Sequence, residues 1–154
     1  MDKKEYQKRL PKKRVSAAGL IFNDAGEILI VKTTYKKHWS MPGGTVDQDE
    51  SPKDACKREL REELGLDLKP GKLLSVSYEW PKDDGIEVLM FYFNCSVLGQ
   101  EQIEKIKLQE EEIEKYQFIK IEKIREFLSE TTSRKLERAI EILKGENKSI
   151  YLEY

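Results

Sequence analysis

Three glutamates, Glu59, Glu62 and Glu63, stand three and four residues apart in a stretch bounded by Ser51-Pro52 and Gly65. On a helix turning about 100° per residue they share one arc. The arc begins at the edge of an apolar stripe of Cys56, Leu60 and Leu64, with Pro52 on its flank. Ala55 falls inside the arc and leaves room around the carboxylates. Like charges at this spacing cost roughly a few tenths of a kcal/mol per pair when exposed, and more when partly buried. Arg58 and Arg61 offset part of that repulsion. A divalent cation would offset far more, and carboxylates without imidazole or thiolate suit Mg²⁺ or Mn²⁺. The plain alternative is a solvated helix face laced with salt bridges.

The elements that must position these groups are legible in outline. Residues 15–22 and 27–32 read as strands joined by the turn Asn23-Asp24-Ala25-Gly26. A polar and aromatic loop, 33–40, runs into Met41-Pro42-Gly43-Gly44 and a short strand at 45–46. Ser51 as N-cap, Pro52 at the first helical position and Asp54 three residues past the cap announce the glutamate helix, and Gly65 ends it. Longer strands are expected at 73–80 and 88–98, joined through 81–85, then a charged stretch and a strand at 116–119. Ile121, Ile124, Phe127 and Leu128 predict a short amphipathic helix. Leu136, Ala139, Ile140 and Leu143 predict a second, capped by Ser133 and stopped at Gly145. Residues 1–13 form a basic arm, and 14–154 form one mixed α/β domain.

Composition excludes several chemistries. With 154 residues there is room for one domain, and 28 basic against 29 acidic side chains leave a net charge of −1. No global field attracts nucleic acid or an anionic membrane. No apolar run approaches the ~20 residues of a membrane span, and the N-terminus lacks a signal-peptide core. One histidine, His38, and two cysteines, Cys56 and Cys95, cannot build a four-ligand zinc site. His38 also lacks any nucleophile-elbow sequence for a serine triad. The two cysteines fit reduced thiols in a cytoplasmic protein.

Residues 44–66, GTVDQDESPKDACKRELREELGL, resemble the Nudix box, G-x5-E-x7-R-E-U-x-E-E-x-G-U, where U is a bulky aliphatic. Gly44, Glu50, Arg58, Glu59, Leu60, Glu62, Glu63, Gly65 and Leu66 fill every specified position. The preceding Pro-Gly-Gly and the flanking strand pattern resemble the same family. The resemblance implies an α+β fold, an α/β/α sandwich with a central mixed sheet flanked by helices. It implies a pyrophosphohydrolase cutting a phosphoanhydride bond in a nucleoside diphosphate linked to another moiety, as in nucleotide-sugars or nucleoside triphosphates. The cofactor would be Mg²⁺ or Mn²⁺, the partner a small nucleotide, and a homodimer is compatible with the family. By position, Glu59, Glu62 and Glu63 would be metal ligands, with the backbone carbonyl of Gly43 as another. Glu50 would support the metal's water shell or orient its loop, and Arg58 would hold a catalytic glutamate by an ion pair. The general base is left open among Glu63, Glu62 and the 110–114 run. Glu112, six residues before Phe118, resembles a late metal-binding glutamate, and a solvated acidic loop is the equal alternative.

Substrate contacts are expected from Lys32, Tyr35, Lys36, Lys37, His38 and Trp39, with the aromatics either stacking on a base or packing at the sheet edge. Tyr78 and Glu79 are further candidates for lining the pocket. Pro81, fifteen residues past the box, resembles a marker of ADP-ribose pyrophosphatases. Thr45 stands where some triphosphate-cleaving members carry lysine. The competing expectation is a catalytically silent Nudix domain that senses a nucleotide. A Nudix-fold isoprenoid diphosphate isomerase is disfavoured, because there is one histidine and no clear cysteine–glutamate pair.

Overall fold

The computed structural model describes residues 1–148 and 150–154. Its strands are β1 (Arg14–Asn23), β2 (Ile28–Thr33), β3 (Gly43–Thr45), β4 (Leu73–Glu79), β5 (Val88–Leu98), β6 (Ile113–Ile119) and β7 (Tyr151–Glu153). The helices are α1 (Lys3–Lys8), α2 (Pro52–Leu64), α3 (Gln100–Ile103), α4 (Ile124–Phe127) and α5 (Glu130–Leu143), with a 3-10 turn over Ile121–Lys123. The described strands form one mixed sheet in the order β6-β2-β1-β5-β4-β7, with β3 also paired to β1. β1 runs parallel to β5 and antiparallel to β2 and β3.

Residues 16–22 of central β1 are all buried, and apart from Ser16 they run without the polar alternation of a half-exposed strand. One face packs Ala17, Leu29 and Ile113 against Cys56, Leu60 and Leu64 of α2. The other packs Leu20, Ile30 and Tyr92 against Leu136, Ala139 and Ile140 of α5. The architecture is therefore the expected α/β/α sandwich. β2 and β3 share one edge of β1, with β2 at Phe22 and β3 at Ser16–Ala18. This division brings residues 34–42 over the sheet beside β3.

Three details differ from the sequence reading. The last long helix begins a turn earlier than expected: Ser129 Oγ accepts the Thr132 N–H at 3.3 Å, while Ser133 is fully buried and donates to the Leu128 carbonyl. Leu128 lies past its short helix in extended backbone, bridging Trp39. β7, absent from the sequence reading, runs parallel to β4. Residues 3–8 of the basic arm form a short helix with no buried side chain. No helix among the described residues is long and apolar enough to cross a membrane.

Candidate active site

Both ends of α2 are fixed locally. Ser51 Oγ accepts the Asp54 N–H at 3.1 Å and donates to Asp54 Oδ2 at 2.8 Å. Gly65 adopts φ 68°, the left-handed conformation that ends a helix. Cys56, Leu60 and Leu64 anchor the helix to the sheet, and Ala55 is also fully buried, so it fills space instead of leaving room.

That anchoring drives the carboxylates toward β3. Glu63 is only 5% exposed, and its Oε2 accepts the Gly43 N–H at 2.9 Å. Burial pushes its carboxyl up to about 8, with help from Glu59 and Glu112 and against the pull of Gly43 and Lys36. Glu59 lies beneath Gly44, where a Cβ would sit 2.4 Å from Oε1. Burial raises its pKa too, while Arg58 opposes the rise. Gly43 itself has φ 149°, and a Cβ there would lie 2.2 Å from the Ala17 carbonyl oxygen. The paired glycines are thus a steric requirement: one lets β3 approach β1, the other admits a carboxylate.

Arg58 ties the surrounding acids together. It donates to both oxygens of Glu50 at 2.8 and 2.9 Å, to Glu59 at 2.8 Å, to Glu62 at 3.2 Å and to the Thr45 carbonyl at 3.0 Å. This fork holds the Glu50 carboxyl down at about 2. The Glu62 side chain is about half exposed. The loop bearing Glu112 is stitched to the helix end, since Lys107 and Gln109 donate to the Leu64 and Glu63 carbonyls at 2.9 and 3.2 Å. Thr34 in turn donates to the Glu112 carbonyl at 2.9 Å. Glu112's carboxylate makes no hydrogen bond or ion pair with the described residues.

Glu59, Glu63, Gly43, Glu112 and Tyr35 from the expected set line one cavity of about 520 Å³. Arg58, Glu50 and Glu62 stand behind that lining. The structure does not bring Lys32, Trp39 or Tyr78 to it. Lys32 is folded onto the carbonyls of Thr33 and Lys36. Trp39 packs edge-on against Phe127, with ring centroids 5.8 Å apart. Tyr78 points away from the cavity, donates to Glu87 and meets Trp80 edge-on. Its neighbour Glu79 faces the cavity, because successive strand residues point to opposite faces. Lys135 of α5 also lines it, only 5% exposed and ion-paired to Glu79. Nothing in the sequence marked Lys135, whose partner lies 56 residues away.

The lining offers hard oxygen donors with neither imidazole nor thiolate, the donor chemistry of Mg²⁺ or Mn²⁺. A buried carboxyl, Glu63, and a partly buried one, Glu59, both with raised proton affinity, form the electrostatic setting that a cation would relieve. Among the described residues, no three acidic, histidine or cysteine side chains already form a cage. Glu59 and Glu63 are turned to Arg58 and Gly43 instead.

The NUDIX domain family model matches residues 12–140. The RNA pyrophosphohydrolase of Pseudomonas fluorescens is 36% identical over 61 residues, 40% of this chain and 38% of that protein's length. Among solved structures, the MutT protein from Methanosarcina mazei Go1 superimposes with a TM-score of 0.70 at 26% identity, covering 90% of this chain and 99% of that one. A UDP-X diphosphatase gives 0.75 at 23% identity, covering 99% and 75%, a likeness of fold alone. With more than half its length matched, and with the box residues gathered at one cavity and its immediate support, this chain belongs to the NUDIX domain family.

Proposed function

We propose that the protein is a divalent-metal-dependent hydrolase of a phosphoanhydride bond in a small nucleoside diphosphate derivative. The observation that carries this reading is the packing of buried Glu63 and partly buried Glu59 beside Gly43-Gly44, at the wall of a cavity of nucleotide size. The name of the sequence relative, RNA pyrophosphohydrolase, denotes hydrolysis of a pyrophosphate linkage by that protein. Glu59, Glu63 and the Gly43 carbonyl, with Glu62 from the flank of the helix, would hold Mg²⁺ or Mn²⁺, which leaves Glu112 for the proton of the attacking water. Such an ion, when bound, neutralises the diphosphate and lowers the pKa of the attacking water.

The chain's own groups divide the remaining work. Arg58 fixes Glu59 and Glu62 and keeps Glu50 ionised, a positioning role. Lys36, at the cavity rim, meets the phosphates as a point charge. Tyr35, mostly exposed beside it, offers a ring face to the substrate. Glu112 is assigned the general-base role, because it lines the cavity and its carboxylate makes no hydrogen bond or ion pair with the described residues, whereas Glu59 and Glu63 accept from Arg58 and Gly43. Glu112→Gln is expected to lower kcat by roughly 10²-fold or more; wild-type turnover in that variant would transfer the role to another glutamate.

The substrate test is a panel of nucleotide-sugars, dinucleotides, nucleoside triphosphates and a 5′-triphosphorylated RNA, each assayed with Mg²⁺ and Mn²⁺ for products. Hydrolysis of a small nucleotide at the anhydride supports the reading. Tight nucleotide binding without turnover at saturating metal would instead establish the silent-sensor alternative.

A further inference from the structure

The cavity has a second polar locus that phosphate chemistry does not use. Buried Lys135 and partly buried Glu79 form an ion pair, the ammonium donating to one carboxylate oxygen. Burial pulls the lysine's pKa down while Glu79 pulls it up. Replacing such a pair by apolar side chains is often neutral or stabilising, so stability alone is a weak reason for its presence. Its placement suggests a better one. In the sheet, Gly43 lies beside Ala18, Ala18 beside Tyr92, and β5 beside β4, which carries Glu79 at its end. Three inter-strand steps separate the strand of the paired glycines from that of Glu79, about 14 Å. Between them the floor is Ser16, Ala18, Met90 and Tyr92, a mostly apolar surface suited to a sugar and a flat ring.

We propose that Glu79 and Lys135 read the nucleobase of the substrate, and that the base they select is guanine. This inference rests on the proposed nucleotide chemistry of the same cavity. The ammonium keeps two N–H donors after serving Glu79, and the carboxylate keeps acceptor capacity on both oxygens. In the proposed binding mode they meet the base as donor, acceptor, acceptor. Guanine presents the complement in order: the O6 acceptor, the N1–H donor and the N2–H₂ donor. Uracil places an acceptor on each side of its single N–H, so one of them would meet the carboxylate. Adenine and cytosine each supply a ring-nitrogen acceptor and one amino donor, which leaves the second carboxylate oxygen without a ring N–H to meet. A largely buried charge pair punishes such mismatches, since each leaves a desolvated group without a partner.

The test is the binding of GDP, ADP, UDP and CDP, with Mg²⁺ present, to the wild-type protein and to Glu79→Gln and Lys135→Met, by calorimetry. Because the diphosphate is common to all four, differences report the base. GDP is expected to bind at least about tenfold more tightly than UDP or ADP. In Glu79→Gln and in Lys135→Met the ratio should collapse toward one, chiefly through weaker GDP binding. Equal affinities for all four in the wild-type protein would overturn base selection while leaving the hydrolase reading intact. A GDP preference that survives both substitutions would overturn the assignment to this pair. No binding of any nucleotide would overturn both readings together.

Discussion

Arg58→Met keeps the aliphatic stem and removes the whole guanidinium fork, isolating what that fork does. The side chains of Glu50 and Glu59 are only 16% and 13% exposed, so each would lose a charge-assisted partner in a shielded setting. Hydrogen bonds to charged groups contribute about 1.5–3 kcal/mol each, and partial solvation places both at the low end, near 3 kcal/mol together. The contact with half-exposed Glu62 adds little. For a chain of this size that corresponds to a melting temperature lower by roughly 6–12 °C. The loss should also carry a pH signature. Glu50's carboxyl sits at about 2 in the folded protein, below its ordinary 4.5, so its stabilisation is present above about 4.5 and fades as pH falls toward 2. Thermal unfolding of both proteins by circular dichroism, from pH 7 to pH 2.5 with a chelator present, measures the difference. The gap should narrow steadily below pH 4.5. A variant that melts within about 2 °C of wild type at pH 7 would refute the reasoning, as would a gap that does not change with pH.

Two further substitutions probe the glutamates directly. Gly44→Ala places a methyl where the Glu59 carboxylate now lies, and the obstruction is the end of a side chain rather than backbone. Turnover should therefore fall about 10²-fold, while the melting temperature stays within about 4 °C; a fully active variant would contradict the placement of Glu59. In metal-free protein, Glu63 titrates near 8 when folded, above its ordinary 4.5. Its favourable share of stability is complete below about 4.5 and is lost as pH rises through 8, with a slope of at most about 1.4 kcal/mol per pH unit. Urea unfolding across pH 5–9 should show that decline, and Glu63→Gln should abolish it.

The glutamate helix was readable because its punctuation is local. Ser51, Pro52 and Gly65 set its ends, and Cys56, Leu60 and Leu64 mark the buried stripe that aims Glu59 and Glu63. Where local signals compete, the sequence misleads. Ser129 and Ser133 are equally good caps by type, and only the packing of Ser133 inside the helix decides between them. Tyr78 and Glu79 are adjacent, and which of them faces the cavity depends on the pairing of β4 with β5. Trp39 carries no label distinguishing a stacking ring from a packing one; its contact with Phe127 comes from chain 88 residues away. Lys135 reads as a polar residue beside apolar Leu136, and its burial follows from Glu79 on a distant strand. β7 is three residues long, and only its tertiary position beside β4 makes it a strand.

The proposed function puts the chemistry at the Glu59 and Glu63 carboxylates packed against Gly43-Gly44. Its most direct test is the metal-dependent turnover of Glu63→Gln beside wild type, using whichever nucleotide the substrate panel identifies. In the metal-free protein at neutral pH the buried Glu63 carboxyl already holds its proton, so the neutral amide should leave the variant about as stable as the parent. Its kcat with saturating Mg²⁺ or Mn²⁺ should nonetheless drop by about 10²-fold or more. A folded Glu63→Gln protein that turns over at the wild-type rate, or a wild-type protein that is equally active in chelator, would contradict it.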